Sequence, residues 1–291
     1  LVSINAARFD VTKHRATPLV SDAKVGLQEL SNLLGEWKVP NVWYERAVKE
    51  SKDWDQYVEK QSGPTNQELP SYAHAIGAVY RNADPSDVVV TAAGGLVGEA
   101  VQIWKPKELN TFETEWGFSC MGYEISGALG MKMAKPNQDI IVFIGDGSYL
   151  LQNSDIYSSI IYEKKLIIIV CDNGGHMVIN RLQLAKGGKE YMCSIKTARA
   201  SKVVNINFAA HAASMGAASE TVNSTSELEA AFHRAKKSNK TYVIEIKTHG
   251  YEWLEGTAFW ESPTLEVSTS EENKKAYKEH TAGKAKQRRG V

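Results

Sequence analysis

The chain has 291 residues and 43% hydrophobic content, enough to bury a sizeable core as one large domain or two small ones. Lysine plus arginine and aspartate plus glutamate both total 34, so no charge bias points to nucleic acid or to a membrane surface. Cys120, Cys171 and Cys193 are too few and too irregular for a disulfide framework or a zinc site, and no apolar run reaches membrane-spanning length. A reducing, cytoplasmic setting is therefore expected. No leader is evident and the first residue is not Met, which suggests a fragment or a processed chain.

In chain order, residues 1–6 read as a strand without a preceding partner. Ser21 and Asp22 precede an amphipathic stretch, residues 23–34, with an N-cap signal. Residues 37–60 read as a further helix rich in Trp, Tyr and charge, closed by the turn-rich run 61–66. These segments are too open for a core of their own. The expected organisation is the tail of another domain (1–38), a linker helix (39–66), a main domain (67–265) and a charged C-terminal extension (266–291). The basic end of that extension, Lys284, Lys286, Arg288 and Arg289, reads as a solvated tail.

The main domain opens with a helix over 72–80 and a short buried strand over 88–91, followed by Ala92-Ala93-Gly94-Gly95-Leu96-Val97-Gly98. That turn lacks the GxGxxG spacing of a dinucleotide fold, which disfavours a nicotinamide enzyme and leaves a phosphate-cradling loop or an ordinary strand-to-helix turn. A glycine-bracketed loop, 115–124, leads into a small-residue helix over 125–134, stopped at Lys135-Pro136. Residues 178–189 are polar and glycine-ended, placed to lie over a cleft. Helices are expected over 208–215 and 227–235, and a last buried strand over 242–247.

Between these lies the informative stretch. Residues 140–144 and 166–170 are continuous apolar runs, as in strands covered on both faces, with one helix between them. Such a βαβ unit brings Gly145-Asp146-Gly147-Ser148 and Asp172-Asn173-Gly174-Gly175 to one carboxyl edge. Either turn alone is ordinary loop chemistry. At this spacing, each directly after a buried strand, they offer the Asp146 carboxylate, the Asn173 amide oxygen and a free backbone carbonyl near Gly175. That incomplete oxygen set suits Mg²⁺ completed by phosphate oxygens and water. The start of the helix beyond Ser148 would face the same spot.

The run EWGFSCMGYEISGALG, then GDGSYL and DNGG followed three residues on by INRLQ, resembles the thiamine-diphosphate enzymes. The resemblance is strongest to the branch that opens a cyclic 1,2-dione, trihydroxycyclohexanedione, in myo-inositol breakdown; the ending FWESPTLEVS adds to it, and it covers residues 67–265. It implies an α/β fold, an open, mostly parallel sheet with helices on both faces. It also implies Mg²⁺ ligation by Asp146, Asn173 and the Gly175 carbonyl. Gly94, Gly95, Gly147 and Ser148 would meet the diphosphate of thiamine diphosphate. Met121 would prop the bent cofactor, and backbone groups of Ser119 and Met121 would hold its aminopyrimidine. His176 would contact diphosphate through its backbone only. Asp172 stands where many members carry Asn.

By the same resemblance, the cofactor brings the chemistry that breaks a C–C bond, and the activating glutamate belongs to an N-terminal pyrimidine domain that no segment of this chain resembles. The expectation is a half-site without turnover of its own, completed by that domain in a homodimer or homotetramer, with a small cyclic dione as substrate and no nucleic-acid or membrane partner. Alternatives are an acetolactate synthase-like 2-oxoacid decarboxylase or carboligase, a partner-dependent cofactor-binding subunit, and a nucleotide-binding module.

Overall fold

The computed structural model describes residues 2–13, 16–115, 117–200, 202, 205–255 and 264–286. Trp116, the first half of the FWESPTLEVS run, Arg288 and Arg289 fall outside them. Two compact units are distinguished, residues 1–53 with 277–291, and residues 54–276. Among the described residues, no helix is long and apolar enough to cross a membrane.

In the first unit, β1 (Val2–Asn5) is followed by α1 (Arg8–Val11) and β2 (Thr17–Val20), and the two strands pair in parallel. β1, expected as a strand with no partner before it, pairs with the strand that follows it. Pro18 hid β2 in the sequence, but a two-stranded ribbon tolerates proline because each strand is an edge. In α2 (Ala23–Leu34), Asp22 caps the helix by accepting from Lys24 N and Val25 N at 3.0 and 3.1 Å. Gly26 packs closely on β1, where an added Cβ would meet the Ile4 side chain at 3.1 Å. The apolar stripe stays in solvent: Leu27, Leu30, Leu33 and Leu34 are all exposed. The next helix, α3 (Asn41–Gln61), starts four residues later than the expected position 37. Pro40 disfavours helical geometry in the residue before it, while its own carbonyl accepts from Trp43 and Tyr44.

The second unit contains, in chain order, α4 (Tyr72–Asn82), β3 (Val88–Thr91), α5 (Gly94–Ile103), β4 (Phe112–Thr114), α6 (Tyr123–Ala134), β5 (Ile140–Gly145), α7 (Asp146–Leu151) and α8 (Ser154–Ile161). There follow β6 (Ile167–Asp172), α9 (Met177–Ala185), α10 (Phe208–Ser214), β7 (Ala218–Val222), α11 (Thr225–Lys237), β8 (Tyr242–Lys247) and α12 (Glu271–Lys286), which continues into the first unit's residues. Six strands form one sheet in the order β4-β3-β5-β6-β8-β7, all neighbours parallel.

Strand residues alternate between two cores. Val89, Ile141, Phe143, Ile167, Ile169 and Ile244 face one side with residues of α4, α5 and α11. Val88, Val90, Ile140, Val142, Ile144, Ile168, Val170 and Val243 face the other with residues of α6, α8 and α10. Each such side chain removed from water contributes about 1.5–3 kcal/mol. That is why the central strands read as unbroken apolar runs.

The chain leaves β3 toward β4, returns across it to β5, and then proceeds to β6. The order of connection reverses between β3 and β5, so the loops after these two strands open a crevice at the carboxyl edge. The helix after the GDG turn is not the single helix expected. It breaks at Gln152 and Asn153, where Asn153 Nδ2 donates to the Tyr149 carbonyl at 3.0 Å.

The opposite end of the sheet is held by charge. Lys236, near the end of α11, pairs with Asp84, Asp87 and Asp139 at 2.8, 2.7 and 3.1 Å, the last two standing just before β3 and β5. Removing the ammonium leaves the buried Asp87 carboxylate without its counter-charge. Lys236→Met is expected to lower unfolding stability by about 2 kcal/mol, read by urea denaturation. A change below about 0.5 kcal/mol would mean that the cluster is only surface decoration.

Candidate cofactor-binding site

At the carboxyl edge, β5 and β6 pair residue for residue from Ile141↔Ile167 to Gly145↔Cys171. That register places the two turns beside each other. Asp146 and Asn173, with Gly147, Gly174, Gly175 and His176, line one cavity of about 750 Å³. The shared site expected from the 27-residue spacing of Asp146 and Asn173 is thus formed.

Asp146 opens α7 with a buried side chain that faces the backbone N–H groups of Gly147 and Gly175. Burial, then the neighbouring Asp172 carboxylate, pushes its carboxyl well above the ordinary range. Asp172 has a different office. Its Oδ1 accepts from Gly174 N at 2.9 Å and shapes the turn, while Oδ2 is ion-paired with Lys247 at the end of β8. The lysine therefore neutralises one of two adjacent carboxylates and leaves Asp146 as the one not held by a cation.

Asn173 is half-committed. Its Nδ2 donates to the buried Tyr72 hydroxyl at 2.7 Å, whereas its Oδ1 is buried with no hydrogen-bond partner. An orphaned buried oxygen costs about 1–3 kcal/mol unless something outside the chain uses it. Next to an uncompensated carboxylate, the chemistry that fits is a hard divalent cation. Among the described residues, no three His, Cys, Asp or Glu side chains converge as a metal cage.

Gly174 and Gly175 have φ of 80° and 140°, and a Cβ on Gly175 would run into the Cys193 carbonyl. Only glycine permits the bridge between Gly175 and Ser194 that closes the loop, together with Ile195 N→Gly174 O at 2.9 Å. The Gly175 carbonyl is not free as expected, since it accepts from Met177 N at 3.0 Å; one lone pair remains. A second correction concerns His176. Its N–H donates to the Cys193 carbonyl at 2.7 Å and its C=O accepts from Ile179 and Asn180, so its backbone is already committed. Its ring instead lies over Gly147, 2.6 Å from where a Cβ would project.

Gly94, Gly95, Ser119, Met121 and Ser148 do not line this cavity, but they are tied to it. Glu124, fully buried, accepts from Ala93 N at 3.2 Å and Gly122 N at 2.8 Å and hydrogen-bonds the Ser148 side chain. One carboxylate thus joins the loop after β3, the turn before α6 and the start of α7. Gly94 begins α5 at φ 76°, while Gly95 is small because Trp253 packs on it. Ser119, at φ 52°, donates to the Ala92 carbonyl at 3.2 Å, and Met121 reaches toward Gly147. Sequence reasoning missed Glu124, Tyr72 and Lys247. Each acts across more than 25 positions, although the Glu in GYE and the capping Ser71 were readable signals.

Residues 92–246 match the family profile "Thiamine pyrophosphate enzyme, C-terminal TPP binding domain". The chain belongs to this family. Curated relatives named 3D-(3,5/4)-trihydroxycyclohexane-1,2-dione hydrolase include those of Halalkalibacterium halodurans, 34% identical over 98% of this chain and 49% of the relative, and Bacillus licheniformis, 33% identical over 95% and 47%. That of Bacillus subtilis is 31% identical over 98% and 49%. The chain spans about half the length of the curated relatives it matches. A solved structure, the Rhodococcus jostii RHA1 thiamine diphosphate-dependent 4-hydroxybenzoylformate decarboxylase, superposes with a TM-score of 0.66 over 88% of this chain and 44% of that one. At 16% identity it shows a shared fold.

A carboxyl whose folded-state pKa is raised destabilises the fold as pH climbs above its unfolded value, about 4, because the folded form must then lose a proton it holds more tightly. Desolvation acts the same way on Glu99, raised to about 8. Asp146→Asn removes one of these charges. Without cations, thermal unfolding of the variant is expected to fall less than that of the parent between pH 5 and pH 8, by about 1 kcal/mol or more. Parallel pH profiles would show that Asp146 is not held in its neutral form.

Proposed function

We propose that this chain is the diphosphate- and Mg²⁺-gripping half of a thiamine-diphosphate-dependent hydrolase that opens a cyclic 1,2-dione by C–C cleavage. The observation that carries the cofactor assignment is the orphaned Asn173 Oδ1 beside the Asp146 carboxylate in one cavity. Family membership supports thiamine diphosphate as the ligand. The names of the relatives support 3D-(3,5/4)-trihydroxycyclohexane-1,2-dione as the substrate and hydrolysis as the reaction, for which the assigned product is 5-deoxy-glucuronate.

In this reading Asp146, Asn173 Oδ1 and the second lone pair of the Gly175 carbonyl hold Mg²⁺. Gly147, whose bare Cα is covered by the His176 ring, would meet the diphosphate through its backbone, and the first N–H groups of α5, at Gly94 and Gly95, would serve the same anion. Glu124 keeps the three loops in register, and Ser119 and Met121 stand at the turn assigned to the aminopyrimidine. When bound, thiamine diphosphate supplies the nucleophilic carbon that attacks a ring carbonyl and accepts the electrons released as the C–C bond breaks. The chain's task is to orient that group and to fix its charge.

Residues 67–265 are assigned as the cofactor-binding domain, residues 1–38 as the end of a central domain, 39–66 as a linker and 266–291 as an extension. The activating glutamate is assigned to a pyrimidine domain outside these residues, met in a homodimer or homotetramer in the cytoplasm. Supporting this, the relatives are about twice as long as the matched chain.

The protein expressed from its natural gene is expected to release a ring-opened acid from the cyclic dione only with Mg²⁺ and thiamine diphosphate. These 291 residues alone should bind cofactor without turnover. Turnover of pyruvate with the dione untouched would overturn the substrate assignment. Turnover by the 291 residues alone would overturn the division of labour.

A further inference from the structure

Tyr72 is a buried residue of the second unit, and the cofactor assignment gives it no role. It is the first residue of α4, placed by the Ser71 cap, whose side chain and backbone exchange hydrogen bonds with His74. Its ring packs edge-on against Trp253 at 5.8 Å, and its hydroxyl reaches the turn after β6, 101 positions away, to meet Asn173 Nδ2 at 2.7 Å. The same hydroxyl stands beside Gly145, 3.7 Å from where a Cβ would lie. Burial and nearby carboxylates hold the phenol protonated.

A side-chain amide has two faces that differ only in which end donates, and a neighbour usually decides between them. A tyrosine hydroxyl can accept from the amide nitrogen or donate to the amide oxygen. A cation at the other end tolerates only the oxygen. With Nδ2 on the tyrosine, Oδ1 is left buried and unshared.

We propose that Tyr72 is a positioning residue for the cation: by accepting from Asn173 Nδ2, it holds Oδ1 outward as a ligand atom. Phenylalanine fills the same space but leaves the amide nitrogen without a partner whenever the oxygen is on the metal. The inference rests on the cofactor assignment above and adds to it the determinant of ligand orientation. It also explains why an amide can serve at position 173, where an unheld Asn would present nitrogen as readily as oxygen.

The test uses the protein expressed from its natural gene and Mn²⁺ with thiamine diphosphate, free Mn²⁺ being counted by electron paramagnetic resonance. Tyr72→Phe is expected to weaken Mn²⁺ binding about tenfold or more, the usual consequence of removing a partner that orients a ligand. Asn173→Asp supplies the control, because a carboxylate presents oxygen at either end. In that background Tyr72→Phe should change affinity by no more than about twofold. Thermal unfolding without cation establishes that all variants fold. Unchanged affinity in Tyr72→Phe, or an equal loss in both backgrounds, would overturn the proposal and leave Tyr72 as packing alone. Asp146→Asn separates the two levels. If the parent binds no Mn²⁺, or if Asp146→Asn binds as the parent does, the metal assignment fails and the Tyr72 proposal with it. If Asp146→Asn abolishes binding while Tyr72→Phe does not alter it, only the Tyr72 proposal fails.

Discussion

The parallel pairing of β5 with β6 is the constraint on which the site depends. Nine apolar strand residues, 140–144 on β5 and 167–170 on β6, lie wholly out of water and cannot slip without turning side chains from one core to the other. Their register sets where each strand ends, and thus where Asp146 and Asn173 emerge. The site is therefore anchored by hydrophobic burial on both faces of a sheet. Its own polar groups contribute direction more than cohesion.

Around that anchor, polar contacts of long sequence range divide the work. Lys247 neutralises Asp172, Tyr72 engages the nitrogen of Asn173, and Glu124 ties three loops together. What remains after these pairings is the buried Asn173 amide oxygen with no hydrogen-bond partner, beside an Asp146 carboxylate met by backbone N–H groups and by no cation. Buried polar groups are normally satisfied, and the exceptions mark places where something else completes the set. The distribution of satisfied and unsatisfied atoms is thus itself a statement about the ligand. Beside the Asp146 carboxylate, the open Asn173 oxygen fits the chemistry of a hard cation.

The two ends of the sheet make a contrast. At the amino end, Lys236 finds three carboxylates and Lys165 pairs with Asp139 at 2.9 Å, a closed network that holds strand starts together. At the carboxyl end the charges are left incompletely paired, and three carboxyls there, Asp146, Glu124 and Glu99, are shifted upward mainly by desolvation. The carboxyl end therefore carries an electrostatic cost of a kind that a bound ligand can offset.

The strands over 88–91, 140–144 and 242–247 and the helix over 23–34 were legible in the sequence because local periodicity and capping decide them. So was the meeting of Asp146 with Asn173, since a crossover between two buried strands has one hand. The short edge strands β4 and β7 were not legible. Phe-Glu-Thr and Ala-Ser-Glu-Thr-Val carry little apolar pattern, and they become strands because β3 and β8 offer them a hydrogen-bonding edge. The sequence likewise placed His176 beside the cation loop but could not show that Cys193 takes its backbone N–H, nor that Met177 shares the Gly175 carbonyl. Chain-local physics determined the donor types and the loops that carry them. Only tertiary structure decided which donor atoms stay unpaired, because that depends on partners such as Tyr72 and Lys247 brought in from distant positions.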